Sequence, residues 1–180
     1  MSAAERRGES GMTVVEVLVA SLLLAVGILS TYSVLIGSRA LTSTSEKLQS
    51  ATHVGQKELE TMQSLGWAAL AHPAVPASGP APHTVTSVSS VWQYHWKSGS
   101  YEPVAVNAAA GAVSATATPW SDGRLGGTVR RFVSLVDDPA TATVNPDYKR
   151  LTVVVSVNGQ DAPVKPVVIS TLAVEKLGMP

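Results

Sequence analysis

The sequence predicts an α+β protein, with one long N-terminal helix laid against an antiparallel β-sheet from the C-terminal part of the chain. Three observations carry this reading. From Met12 to Gly37 the chain is apolar and its only charged side chain is Glu16. Apolar residues then recur at helical spacing as far as Leu65, and no proline intervenes before Pro73. In the last third, Val129–Val136, Arg150–Val157 and Val167–Val174 have strand composition and are separated by turn-forming residues.

The elements follow in chain order. Residues 1–11 form a short polar leader containing Arg6 and Arg7. Roughly 20 apolar residues cross a bilayer as a helix, so residues 12–37 are long enough to do so. Arg6 and Arg7 favour a cytoplasmic N-terminus, although Arg39 and Lys47 beyond the span weaken that bias. Residues 38–66 continue as an amphipathic helix. Leu41, Leu48, Ala51, Leu59 and Met62 lie near a 3.6-residue period, with Thr44, Thr52 and Gly55 completing the stripe. Gly66 suits a C-terminal cap. One helix from Met12 to Leu65 would be ~80 Å long at 1.5 Å per residue, with Gly27 and Gly37 as candidate soft points. Its second half needs a domain to cover the apolar stripe.

Residues 67–180 supply that domain, a β-rich head. A Pro-, Ala- and Ser-rich connection runs from His72 to about His83. Trp92, Tyr94 and Trp96 alternate with Gln93 and His95, giving one aromatic strand face, and Ala112 to Thr118 reads as a second strand. Asp122-Gly123 marks a turn. In the third run, Leu151, Val153, Val155 and Val157 share one face, while Thr152 and Ser156 lie on the other. Asn158-Gly159 is a strong turn signal. These runs predict a meander whose apolar face covers the helix: a helical stem carrying a globular head.

Composition narrows the function classes. Lysine plus arginine equals aspartate plus glutamate, and the balance stays even without the first eleven residues. No global field therefore recruits nucleic acid or anionic lipid. The absence of cysteine excludes disulfide frameworks and thiolate metal sites.

Glu16 is the anomaly. A cleaved secretory signal would account for a basic start and an apolar run, with Ser38-Arg39-Ala40 as a poor cleavage site, but the run is long for such a signal and contains a carboxylate. A plain membrane anchor would place Glu16 among headgroups. Arg6-Arg7 lacks the rest of a twin-arginine signal.

A third account uses every oddity. Gly11, Met12, Thr13, Val14, Val15 and Glu16, followed by an unbroken apolar run, resemble the class III signal of type IV pilins and pseudopilins. The resemblance covers about the first 30 residues. It implies cleavage after Gly11 by prepilin peptidase on the cytoplasmic face and N-methylation of Met12. It further implies retention of the apolar helix, first in the cytoplasmic (inner) membrane with the N-terminus inside, then in an extracytoplasmic or cell-surface filament. By the same resemblance, Glu16 meets the new amine of Met12 on a neighbouring subunit, because a buried charge is far less costly when paired. The implied partners are other pilin or pseudopilin subunits, the prepilin peptidase and the inner-membrane assembly machinery. Among relatives, the chain looks most like the minor pilins involved in pilus assembly or modification, and it lacks the paired cysteines common in major pilins.

The remaining candidates favour bland readings. His53, His72, His83 and His95 show no metal spacing and read as surface or strand residues. No nucleophile elbow occurs. Gly123 to Gly127 lacks the lysine and context of a phosphate loop. Asp137, Asp138 and Asp147 match no EF-hand and read as turn residues. Arg124, Arg130, Arg131, Lys149 and Arg150 form a basic group for which nucleic acid is disfavoured as a ligand, because Arg130 and Arg131 point to opposite strand faces. The Trp92-Tyr94-Trp96 face favours core packing over sugar or peptide binding. No catalytic residue, cofactor site or metal site is expected. The leading reading is a minor subunit of a type IV pilus or type II secretion pseudopilus. The alternative is a membrane-tethered extracytoplasmic domain binding DNA, sugar or peptide, without a filament role.

Overall fold

The computed structural model of the chain describes residues 13–77, 83–88, 90–96, 101–136, 148–158 and 165–175. The chain divides into two compact units, Met1–Thr44 and Ser45–Pro180. Helix α1, Val14–Gln63, contributes to both. It runs without interruption through Gly27 and Gly37, so neither glycine is a break. The turn that follows holds Gly66, whose carbonyl accepts from the N–H groups of Ala69 and Leu70 at 2.9 and 3.0 Å.

In the second unit, α1 buries Ala51, Gly55, Leu59 and Met62, spaced at three to four residues along one face. They pack into a core with Val129, Val133, Leu151, Val153 and Val155. Gly55 packs closely on the sheet: a Cβ there would lie 2.8 Å from Ile169 Cδ1 and 3.3 Å from Val155 Cγ2. Polar contacts also tie the helix to the sheet. Arg131 Nε donates to Glu58 Oε2 at 2.8 Å and its Nη1 to Thr118 Oγ1 at 3.0 Å. Ser50 donates to the Asp122 carboxylate. Leu41 is 74% exposed, contrary to its expected place on the packed stripe. Helical period alone assigns a face but not how far along the helix that face is covered.

Seven strands complete the described structure: β1 (His83–Val88), β2 (Val91–Trp96), β3 (Tyr101–Pro103), β4 (Thr118–Ser121), β5 (Gly126–Val136), β6 (Tyr148–Val157) and β7 (Val167–Val174). They form two antiparallel sheets, ordered β1-β2-β3 and β4-β5-β6-β7. The expected terminal meander is β5-β6-β7, with Val133 opposite Leu151 and Val153 opposite Ile169. The β4–β5 hairpin turns at Asp122-Gly123, where Gly123 has φ of 90°. Asp122 Oδ1 accepts from the N–H groups of Arg124 and Leu125.

Two further expectations are corrected. Residues 112–117 form no strand; the strand begins at Thr118 and pairs with Val129. Val113 instead belongs to a hydrogen-bonded crossing in which the N–H groups of Ala112 and Val113 donate to the carbonyls of Ala69 and Ala71. Second, β6 is buried on both faces from Leu151 to Val155. Its odd positions face the helix core. Val154 joins Phe132, Val85, Tyr94 and Val104 in a second core beneath the three-stranded sheet.

Candidate functional site

The first turn of α1 explains part of the spacing around Glu16. Thr13 is the N-cap: its carbonyl accepts from the N–H groups of Glu16 and Val17 at 3.0 and 3.2 Å. Its Oγ1 also lies 3.3 Å from the Glu16 N–H. Thr-x-x-Glu before an apolar run is the sequence pattern of a capping box, a local signal that accounts for both residue types. The Glu16 carboxylate additionally sits where the helix dipole favours negative charge. It is exposed, with no ion pair among the described residues. Gly11 and Met12 lie outside the described residues.

Beyond Glu16 the helix presents apolar side chains on every side. Leu18, Leu22, Leu24, Leu29 and Val34 are all exposed. The serine and threonine hydroxyls in this stretch turn back onto their own helix. Ser21 donates to Val17 O at 2.7 Å, Ser30 to Val26 O at 2.8 Å, Thr31 to Gly27 O at 2.9 Å and Ser33 to Ser30 O at 2.8 Å. Each serine or threonine thus satisfies its donor internally, which lowers the cost of placing the helix in an apolar medium. The helix is long and apolar enough to cross a membrane.

The head resolves the remaining candidates. His72 is fully buried, contrary to the expected surface or strand position. Its Nδ1–H donates to Val113 O at 2.8 Å, and Nε2 accepts from Tyr94 Oη–H at 2.8 Å and the Val133 N–H at 3.2 Å. Burial holds its pKa below 6.5, partly opposed by the Val113 bond. Burial also pushes the Tyr94 phenol upward. The ring therefore joins the segment after α1, the 104–117 crossing, β2 and β5. No spacing signal marks it in the sequence, although a histidine beside proline in an apolar stretch could have prompted the question. His53 is exposed on the helix. His95 stacks on Tyr101 with ring centroids 4.5 Å apart. His83 lies in β1. No described group of three or more His, Asp or Glu residues could hold a metal ion; Asp137, Asp138 and Asp147 lie outside the described residues.

The aromatic face is divided. Tyr94 is buried edge-on against Phe132 at 5.3 Å, whereas Trp92 is 46% exposed. The basic group is divided as well. Arg131 pairs with Glu58, and Arg150 pairs with Glu102, which also accepts from Ser134. Lys149 Nζ donates to Trp67 O at 2.6 Å and lies 4.2 Å from the centre of the Trp67 ring. Burial lowers its pKa while Glu175 raises it. Three of the five cations are thus engaged internally. The Gly123–Gly127 stretch is the β4–β5 hairpin and the start of β5.

The chain matches no family model, no curated protein and no solved structure.

Proposed function

We propose that this chain is a minor structural subunit of a type IV pilus or a related secretion pseudopilus. Prepilin peptidase cuts it after Gly11, and it enters the filament from the cytoplasmic membrane through its apolar N-terminal helix. The observation that supports this most is one continuous helix serving two tasks. Its first half exposes apolar side chains with self-satisfied hydroxyls and one first-turn carboxylate; its second half is built into the core of the head. A removable secretory signal has no need of such continuity, whereas a filament subunit held by its helix does. The absence of a catalytic cluster from the sequence reading fits a structural role.

The cap gives a sharp test of Glu16. Glutamine serves a capping box as glutamate does but cannot neutralise a Met12 amine. If the carboxylate matters only to the helix start, Glu16→Gln enters filaments normally and Thr13→Ala is the harmful change. If it pairs with a neighbour's amine, Glu16→Gln and Glu16→Ala both leave a buried charge unpaired, at a cost on the order of 3–5 kcal/mol. We expect both Glu16 variants to be cleaved yet largely missing from sheared filaments. Normal recovery of Glu16→Gln would remove the charge-pair account.

A further inference from the structure

Arg130 and Arg131 are neighbours in β5 with opposite fates. Arg131 is fully engaged by Glu58 and Thr118. Arg130 is partly buried, yet its guanidinium makes no ion pair or hydrogen bond among the described residues. It lines a cleft of ≈ 580 Å³ between two non-strand segments, 73–77 and 112–117. The other lining residues include Pro73, Val75, Pro76, Ala112 and Ala115, with no aromatic ring among them. Pro73 and Pro76 restrict the backbone of one wall. Ala74, Val75 and Ala115 make no backbone hydrogen bond among the described residues.

We infer that this cleft binds an extended peptide carrying a carboxylate side chain, with the carboxylate on Arg130. Three features select that ligand. A partly desolvated guanidinium without a partner gains a charge-assisted, bidentate bond from a carboxylate. Unpaired backbone groups along the walls offer main-chain pairing to an extended chain, the mode in which backbone gives affinity and pockets give specificity. Small alkyl walls accommodate small apolar side chains flanking the acid, while the lack of an aromatic platform disfavours sugar stacking. A single cation is too few for nucleic acid, whose affinity rests on several phosphate contacts. This inference does not rest on the filament reading, since the cleft lies wholly within the second unit.

The test uses the full chain in detergent micelles, labelled with ¹⁵N, and the end-blocked pentapeptide Ala-Val-Glu-Val-Ala beside its Gln counterpart. The Glu peptide should shift the amides of residues 74–77 and 112–117 saturably, and bind about tenfold more tightly than the Gln peptide, equivalent to ~1.4 kcal/mol. Arg130→Gln should abolish that preference with the rest of the spectrum unchanged; Arg130→Lys should weaken binding but keep the preference. Equal binding of the two peptides, no saturation by about 10 mM, shifts mapping elsewhere, or saturation by trigalacturonate in place of peptide would each overturn the inference.

Discussion

At His72 a single neutral imidazole ties its own segment to three other parts of the head, and its protonation state decides whether it can. Nε2 accepts from two donors, the Tyr94 hydroxyl and the Val133 amide. A proton on Nε2 would set a donor against both. The native pKa lies below 6.5 because burial disfavours the charged ring. Between that lowered value and 6.5 the unfolded chain binds more protons than the folded one, so this group's contribution to stability is present above 6.5 and is lost as pH falls through the window. The described charged groups in the neighbouring layer, Glu102 and Arg150, pair with each other and do not contact the ring. Urea unfolding at pH 7.5 and pH 5 should show a lower midpoint at the acid value. His72→Phe should unfold more easily at pH 7.5 by at least about 2 kcal/mol, because it strands buried polar groups, and should flatten the pH dependence. An unchanged pH dependence in His72→Phe would assign the acid sensitivity elsewhere. None of this was legible in the sequence: the partners are 22, 41 and 61 residues away, and no local spacing encodes a contact of that range.

Among the elements, α1 and β5 to β7 were legible because their signals are local. The helical stripe from Ala51 to Met62 and the period-2 pattern of Leu151, Val153 and Val155 each identify a face without reference to the rest of the chain. The extent of coverage was not legible, since it depends on what meets the face: Leu41 continues the stripe yet is exposed. Val154 shows the complementary case. It sits on the face assigned to Thr152 and Ser156 and is buried because β1–β3 bring a second layer there. A strand-scale test contrasts two valines. Val153 is fully buried and Val168, on the edge strand β7, is 52% exposed. Val153→Asp should cost at least about 3 kcal/mol by burying an unpaired charge. Val168→Asp should stay within about 0.5 kcal/mol of the parent. Equal melting transitions for the two variants would mean that the inward face of the sheet has been misassigned.

For the whole molecule, the division at Thr44 and Ser45 gives a direct expectation about independence. Residues Ser45–Pro180 contain every buried member of both cores. A chain beginning at Ser45 should therefore fold on its own and melt cooperatively, whereas one beginning after Gly66 should not, because it lacks Ala51, Leu59 and Met62. Circular dichroism of the two truncations decides this. The helix of the first unit has exposed apolar side chains, among them Leu22, Leu29 and Val34. The sequence announced that helix through composition alone. Periodicity does not encode what such an exposed apolar helix would meet.

The proposed function requires that the helix is retained and enters a filament after the leader is removed. The most direct measurement is the N-terminal mass of this protein recovered from filaments sheared off the cell surface. The expected result is an N-terminus at Met12, methylated, with the whole apolar run from Thr13 to Gly37 still attached. A mature N-terminus near Leu41, or a protein absent from the sheared fraction with its leader intact, would contradict it.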